Sequence, residues 1–141
     1  MRKHIGLAAG AIGLAAILGA LGAASMGPQA FAARTSAPLQ VLDPDHDGTV
    51  DLNEATTAAS AVFDRLDRDH DGTLDQSELK GRLSAKELAA GDPDHDGTLT
   101  KVEYLAIVEK LFNAANTDND GTLDAKELNS RSGRALLRLV I

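Results

Sequence analysis

Residues 43–54 read DPDHDGTVDLNE, and the same pattern returns at residues 67–78, 92–103 and 116–127. Each copy fits D-x-[DN]-x-[DN]-G-x5-E, except that Asn116 replaces the first aspartate of the fourth copy. The glycines at position 6 follow one another at intervals of 24 or 25 residues. A fixed period of this kind is typical of an internal repeat, so we interpret the four copies as one recurring structural unit.

The spacing within each copy suits a hard cation, which needs about six to eight oxygen ligands. In an EF-hand loop, positions 1, 3 and 5 direct side-chain oxygens inward, position 7 offers its backbone carbonyl, and position 12 provides a bidentate glutamate. Position 9 is a further ligand position, often acting through water. The sequence therefore predicts four EF-hand metal sites with the ligands Asp43, Asp45, Asp47, Thr49, Asp51, Glu54, Asp67, Asp69, Asp71, Thr73, Asp75, Glu78, Asp92, Asp94, Asp96, Thr98, Thr100, Glu103, Asn116, Asp118, Asp120, Thr122, Asp124 and Glu127.

The number of carboxylates ranks the four loops. Loops one and two offer five each, because Asp51 and Asp75 add an acid at position 9, and loops three and four offer four each. Ligand charge is one determinant of loop affinity. Five carboxylates exceed what a divalent cation needs and suggest a trivalent one. The residues alone leave calcium and a lanthanide(III) ion open as ligands.

Composition excludes several classes of protein. The 141 residues have room for one domain and carry a net charge of −7, which argues against a nucleic-acid partner. No cysteine is present, so disulfides, thiolate metal sites and a cysteine nucleophile are excluded. Of the 21 acids, 18 lie in the loops, and no catalytic constellation remains outside them. We therefore do not expect an enzyme.

The N-terminal segment has the order of a secretory signal. Arg2 and Lys3 precede an apolar run over residues 5–24, and an A-x-A site ends at Ala32. We predict a signal peptide over residues 1–32, a flexible leader over 33–40 and the metal-binding domain over 41–141. An uncleaved anchor is the alternative, since about 20 apolar residues can span a bilayer.

The gaps between the loops contain 12 or 13 residues, enough for one shared helix each. Apolar residues at helical spacing predict single helices over 55–66 and 104–115. The gap at 79–91 differs, because Gly81 interrupts it and a capping box begins at Ser84. This break lets loops two and three pair through short β-bridges at position 8, and leaves loops one and four to pair with each other. The apolar tail at 136–141 predicts a last helix.

Three loops carry histidine at position 4, namely His46, His70 and His95. We interpret them as exposed residues that face away from the metal, because hard cations prefer oxygen ligands. A second hypothesis is that their protonation near pH 6 opposes metal binding. The small core and the clustered acids also predict that folding is coupled to metal binding.

The chain resembles the lanmodulin family of periplasmic lanthanide-binding proteins over essentially all of its length after the signal. The resemblance implies an all-α fold with a compact three-helix core, EF-hand loops at its periphery, ordering on metal binding and preference for lanthanides over calcium. The family has proline at loop position 2 and an acid at position 9. This chain departs from it in two features: position 2 is proline in loops one and three only, and position 9 of loop three is Thr100. Asn116 resembles the family's weaker fourth site. Besides the loops, the resemblance is based on residues 61–67, 75–82, 103–106 and 113–116.

Periplasmic capture, buffering or trafficking of lanthanide(III) ions at up to four sites is therefore the leading interpretation. An exported calcium buffer or sensor is the alternative, although no methionine follows Met26 to form a target-binding groove. A dockerin-like adhesion module fits four loops with shared helices poorly. We expect metal ions as partners, with no nucleic acid and no stable membrane insertion after cleavage, and no particular delivery protein is indicated.

Overall fold

A computed structural model describes residues 37–141 of the chain. The predicted signal peptide and the first residues of the predicted leader lie outside this part. Residues 37–141 contain six helices and four two-residue strands, joined by loops and turns. They are α1 (Ala37–Leu42), β1 (Val50–Asp51), α2 (Leu52–Leu66), β2 (Thr73–Leu74), α3 (Ala85–Gly91), β3 (Leu99–Thr100), α4 (Lys101–Ala115), β4 (Thr122–Leu123), α5 (Ala125–Leu128) and α6 (Arg131–Val140).

The three longest helices, α2, α4 and α6, pack against one another and enclose the core. α2 and α4 bury one face each, because their apolar residues recur at the helical period. The Phe63 and Tyr104 rings meet edge to face across the α2–α4 contact, with centroids 5.6 Å apart. Both helices begin three residues before the segments predicted from the sequence, because the last three residues of loops one and three form their first turns.

Short antiparallel bridges join the loops in pairs. β1 pairs with β4, placing Val50 opposite Leu123, and β2 pairs with β3, placing Leu74 opposite Leu99. These four position-8 side chains are completely buried in the core. Loop one is therefore linked to loop four, and loop two to loop three. The fold is helix-rich rather than purely α, because each bridge forms a small two-stranded sheet.

The segment between loops two and three contains turns and then helix α3. Gly81 adopts φ +84°, a conformation that favours glycine. The predicted capping box is confirmed: Ser84 accepts a hydrogen bond from the Glu87 N–H, and the Glu87 carboxylate accepts one from the Ser84 N–H. Upstream of it, the Arg82 guanidinium donates to the Arg138 and Ile141 carbonyls and fixes the C-terminal end of α6.

Helix α1 differs from the predicted flexible leader. Residues 37–40 lie in this helix, and Leu39 and Leu42 are buried against the core. The hydrophobic effect of burying the two leucines accounts for the ordered structure. Within residues 37–141, no helix combines the length and the apolar character needed to cross a bilayer.

Candidate metal centres

Each loop follows directly after a helix and contains a β-bridge residue at position 8, so the fold fixes its start and its second half. In loop one, carboxylate oxygens of Asp43, Asp45 and Glu54 lie within 4.8 Å of one another. The same separation holds for the residues at positions 1, 3 and 5 of loops two and three: Asp67, Asp69 and Asp71, and Asp92, Asp94 and Asp96. Like charges this close repel one another unless a cation lies among them.

The position-1 aspartates fix the curl of the loop. Asp43 accepts hydrogen bonds from the N–H groups of Asp47 at 3.1 Å and Gly48 at 2.9 Å. Loss of hydration raises the pKa of Asp43, but hydrogen bonds from the Gly48 N–H, the Asp45 side chain and the His46 and Asp47 N–H groups outweigh it and hold the pKa below its ordinary value. Asp92 has the same arrangement and a lowered pKa for the same reasons. The first ligand of these loops is therefore an ionised, oriented carboxylate.

Crowding raises the pKa of two other predicted ligands, Asp94 and Glu54. A hydrogen bond to Asp92, loss of hydration and the charges of Asp96 and Glu103 raise the pKa of Asp94. Loss of hydration, followed by the charges of Asp51, Asp45 and Asp43, raises the pKa of Glu54, although a hydrogen bond from the Asp51 N–H opposes this.

Position 7 does more than offer its carbonyl. The Thr49 N–H and hydroxyl both donate to Asp47 Oδ1, at 2.8 and 2.7 Å. The other three loops repeat this pair of bonds with Thr73, Thr98 and Thr122. The threonine hydroxyl orients the position-5 carboxylate through one oxygen and leaves the second oxygen available to a metal ion. Sequence reasoning missed this role, although threonine at all four positions is a visible signal.

Position 9 caps the element that leaves each loop. Asp51 accepts a hydrogen bond from the Glu54 N–H at 2.7 Å, while the Glu54 carboxylate accepts one from the Asp51 N–H at 2.8 Å. Asp75, Thr100 and Asp124 form equivalent reciprocal bonds with the glutamates of their loops. In loops one, three and four these bonds form capping boxes, which the D/T-x-x-E spacing would have identified, and in loop two the same bonds precede a turn. A ligand role for position 9 stays a prediction.

The backbone conformation explains why loop position 4 is histidine or asparagine. His46, His70, His95 and Asn119 all adopt φ between 58° and 61°. Histidine and asparagine are enriched among the non-glycine residues that occupy this left-handed region. The histidine side chains are exposed, as predicted. The structure thus gives their residue type a conformational reason that the sequence reasoning had not supplied.

Three buried oxygens test whether the loops fit a metal ion. Glu54 Oε1, Asp67 Oδ1 and Asn116 Oδ1 are shielded from solvent and have no hydrogen-bond partner among the described residues. A buried polar atom without a partner costs free energy. All three belong to predicted ligands at position 1 or 12, and oxygen is the ligand that hard cations prefer. The residues therefore fit a hard cation.

Comparisons with known proteins agree with this geometry. The family profile described as an EF-hand domain pair matches residues 56–131, more than half of the chain. The chain therefore belongs to the EF-hand domain-pair family. Within that family it is lanmodulin-like, since it is 57% identical over 65 residues to Lanmodulin of Methylorubrum extorquens. The aligned part covers 44% of this chain and 49% of that relative, so the chain spans about half the relative's length.

Proposed function

We propose that this protein binds trivalent lanthanide ions selectively in the periplasm and serves in their capture, buffering or trafficking. The observation that carries the proposal is the crowding of three carboxylate residues within 4.8 Å in each of loops one, two and three. A trivalent ion compensates such crowding more completely than a divalent ion does. The similarity to Lanmodulin supports the same choice of ion. The protein then acts through binding and not through catalysis.

Metal-coupled folding is part of this proposal. The position-8 residues Val50, Leu74, Leu99 and Leu123 lie inside the acidic loops and are also completely buried in the core. The loops must therefore curl for the core to close, and curling brings carboxylates together. A bound cation removes that repulsion, so binding free energy becomes folding free energy.

Competition between ions tests the selectivity. The full chain is dialysed against micromolar lanthanum in a thousandfold excess of calcium, and the bound metals are counted by mass spectrometry. We expect lanthanum to occupy the loops and calcium to be nearly absent. Glu54→Gln should lower the lanthanum count, whereas Glu109→Gln, which changes an exposed acid outside the loops, should not.

An exported calcium buffer or sensor is the second candidate. Its support is that the oxygen ligands of an EF-hand suit calcium equally well by type. Calcium bound in proportion to its excess would favour this function and contradict lanthanide selectivity.

Export is proposed from the N-terminal sequence alone. Cell fractionation followed by N-terminal sequencing should find the protein in the periplasmic fraction, beginning at Ala33 after cleavage behind Ala32. A chain that keeps its N-terminal segment and sediments with membranes would instead support the uncleaved anchor.

A further inference from the structure

The position-12 glutamates fall into two kinds according to the partner of their second oxygen. In loop two, Glu78 Oε1 accepts a hydrogen bond from the Arg68 N–H at 2.9 Å. In loop four, Glu127 Oε1 accepts one from the Thr117 N–H at 2.8 Å. Both donors are at loop position 2. Because Oε2 of each glutamate accepts the N–H of position 9, backbone groups contact both oxygens in these two loops.

Loops one and three cannot form this bond. Their position-2 residues are Pro44 and Pro93, and proline has no N–H group. Glu54 Oε1 is buried without a hydrogen-bond partner among the described residues. Glu103 accepts hydrogen bonds through Oε2 from Thr100, and within residues 37–141 no donor contacts its Oε1. The second oxygen is therefore free to bind an ion in both proline loops.

Position 1 shows a complementary difference. In the proline loops, both oxygens of Asp43 and of Asp92 accept backbone hydrogen bonds. In the other two loops, one oxygen of Asp67 and the amide oxygen of Asn116 are buried without a partner. The proline loops therefore hold both oxygens of the first ligand and leave Oε1 of the last ligand free, whereas the N–H loops leave one oxygen of the first ligand free and hold both oxygens of the last. The difference at position 12 matters more for binding, because that glutamate is the ligand that binds through both oxygens.

The β-bridges bring one loop of each kind together. Loop one, with Pro44, is bridged to loop four, with Thr117. Loop three, with Pro93, is bridged to loop two, with Arg68. Each pair thus combines a loop whose glutamate is free with a loop whose glutamate is held by a backbone N–H.

We propose that the residue at position 2 sets the order in which the two loops of a pair bind metal. The proline loop binds first, because only Oε2 of its glutamate accepts a backbone hydrogen bond, from position 9, and no N–H competes with the ion for Oε1. The N–H loop binds second, since Oε2 of its glutamate accepts the same position-9 bond and the position-2 N–H competes with the ion for Oε1 as well. This inference rests on the proposed metal-binding function and adds a determinant of affinity to it.

The pair of loops two and three separates this effect from carboxylate number. Loop two offers five carboxylates and loop three offers four, so charge alone predicts that loop two binds first. The hydrogen bond at position 2 predicts the reverse order. A hydrogen bond to a charged group is strong enough for its loss to lower the affinity of loop two about tenfold.

The position-6 glycines report each loop separately. The ¹⁵N–¹H correlation spectrum of the full chain is followed while free lanthanum is raised in a metal buffer, with the Gly72 and Gly97 amides as reporters of loops two and three. We expect Gly97 to change at about tenfold lower free lanthanum than Gly72. Arg68→Pro should remove most of this difference. Arg68→Ala is the matched control, because it removes the side-chain charge and keeps the N–H.

The residue before Arg68 already has the ψ that precedes a proline in loop three. Asp67 has ψ 87°, close to the ψ of 90° at Asp92, which already precedes a proline. Pro93→Ala tests the reverse change and does not depend on folding of Arg68→Pro. It restores an N–H to loop three and should move the Gly97 response to higher free lanthanum.

Equal responses of Arg68→Pro and Arg68→Ala, together with an unchanged Gly97 midpoint in Pro93→Ala, would overturn the proposed order. Binding of lanthanum in loop two before loop three in the unmodified chain would also overturn it. In either case the proposed function survives, because lanthanum is still bound. If no loop glycine responds to lanthanum, the proposed function itself fails, and the binding order fails with it.

Discussion

The Tyr104 hydroxyl donates a hydrogen bond to the Leu139 carbonyl oxygen at 2.8 Å, within the core formed by α2, α4 and α6. The last carbonyls of a helix have no hydrogen-bond partner within it, and Leu139 is the second-last residue of α6. The hydroxyl therefore satisfies an acceptor that would otherwise be buried without one. Tyr104 also follows directly after Glu103, so this contact connects the last predicted ligand of loop three to the C-terminal helix.

The Tyr104 hydroxyl is expected to make the free energy of unfolding fall at alkaline pH. Burial raises its pKa from 10.0 to about 12, although the charges of Arg82 and Arg65 oppose the increase. The folded protein then holds this proton more tightly than the unfolded chain does. The resulting stabilisation is complete below pH 10 and is lost as the pH rises from about 10 to about 12.

Tyr104→Phe isolates this contribution. The free energy of unfolding is measured with urea in saturating calcium for both chains as a function of pH. Near pH 8 the variant should be less stable by about 1 kcal/mol, the usual net value of a hydrogen bond. Its deficit should shrink above pH 10, since only the tyrosine chain loses stability by deprotonation. A constant difference up to pH 12 would contradict the raised pKa.

The sequence could predict features that depend on nearby residues. The four loops, the position of Ser84 as a cap and the buried faces of α2 and α4 follow from short motifs and from helical periodicity. The capping boxes at position 9 and the threonine hydroxyl bonds at position 7 have equally local signals, which the sequence reasoning did not use.

Other features depend on contacts between residues far apart in the chain. The anchoring of α6 by Arg82 links residues more than 50 positions apart, and no spacing rule predicts it. The docking of α1 depends on core space for Leu39 and Leu42 that other elements create. The close approach of α6 to α5 at Gly133 is also a product of tertiary packing.

Gly133 allows α6 to pack directly on the end of loop four. A Cβ at this residue would lie 2.2 Å from the Glu127 carbonyl oxygen and 2.6 Å from Leu128 Cα. Because both contacts are with backbone, the helix itself must move. Gly133→Ala should destabilise the protein by about 1–3 kcal/mol in urea unfolding. Arg134→Ala, at the exposed neighbouring residue, is the control and should have little effect.

Asp51 can be tested as a cap separately from its charge. Asp51→Ser keeps a side-chain oxygen that can accept the Glu54 N–H, whereas Asp51→Ala removes it. Alanine should cost about 1 kcal/mol of stability, and serine only a few tenths. Thermal unfolding of the lanthanum-saturated variants measures both. Equal losses in the two variants would indicate that the carboxylate matters for its charge or as a ligand.

His70 should tolerate only residues that accept left-handed backbone. Its φ is 60°. His70→Asn should preserve stability, because loop four already has Asn119 at the same position with φ 58°. His70→Val should cost about 1–2 kcal/mol, since a β-branched residue is strained there. Chemical unfolding of both variants distinguishes this backbone effect from loss of the imidazole, which both substitutions share.

Far-UV circular dichroism tests the central claim, that trivalent ions drive the folding of this EF-hand protein. The full chain is stripped of metal with a chelator and then titrated separately with lanthanum and calcium at buffered free concentrations. The account predicts low helix content without metal, and formation of helix at far lower free lanthanum than free calcium. Full helix content before any metal is added, or equal midpoints for the two ions, would contradict it.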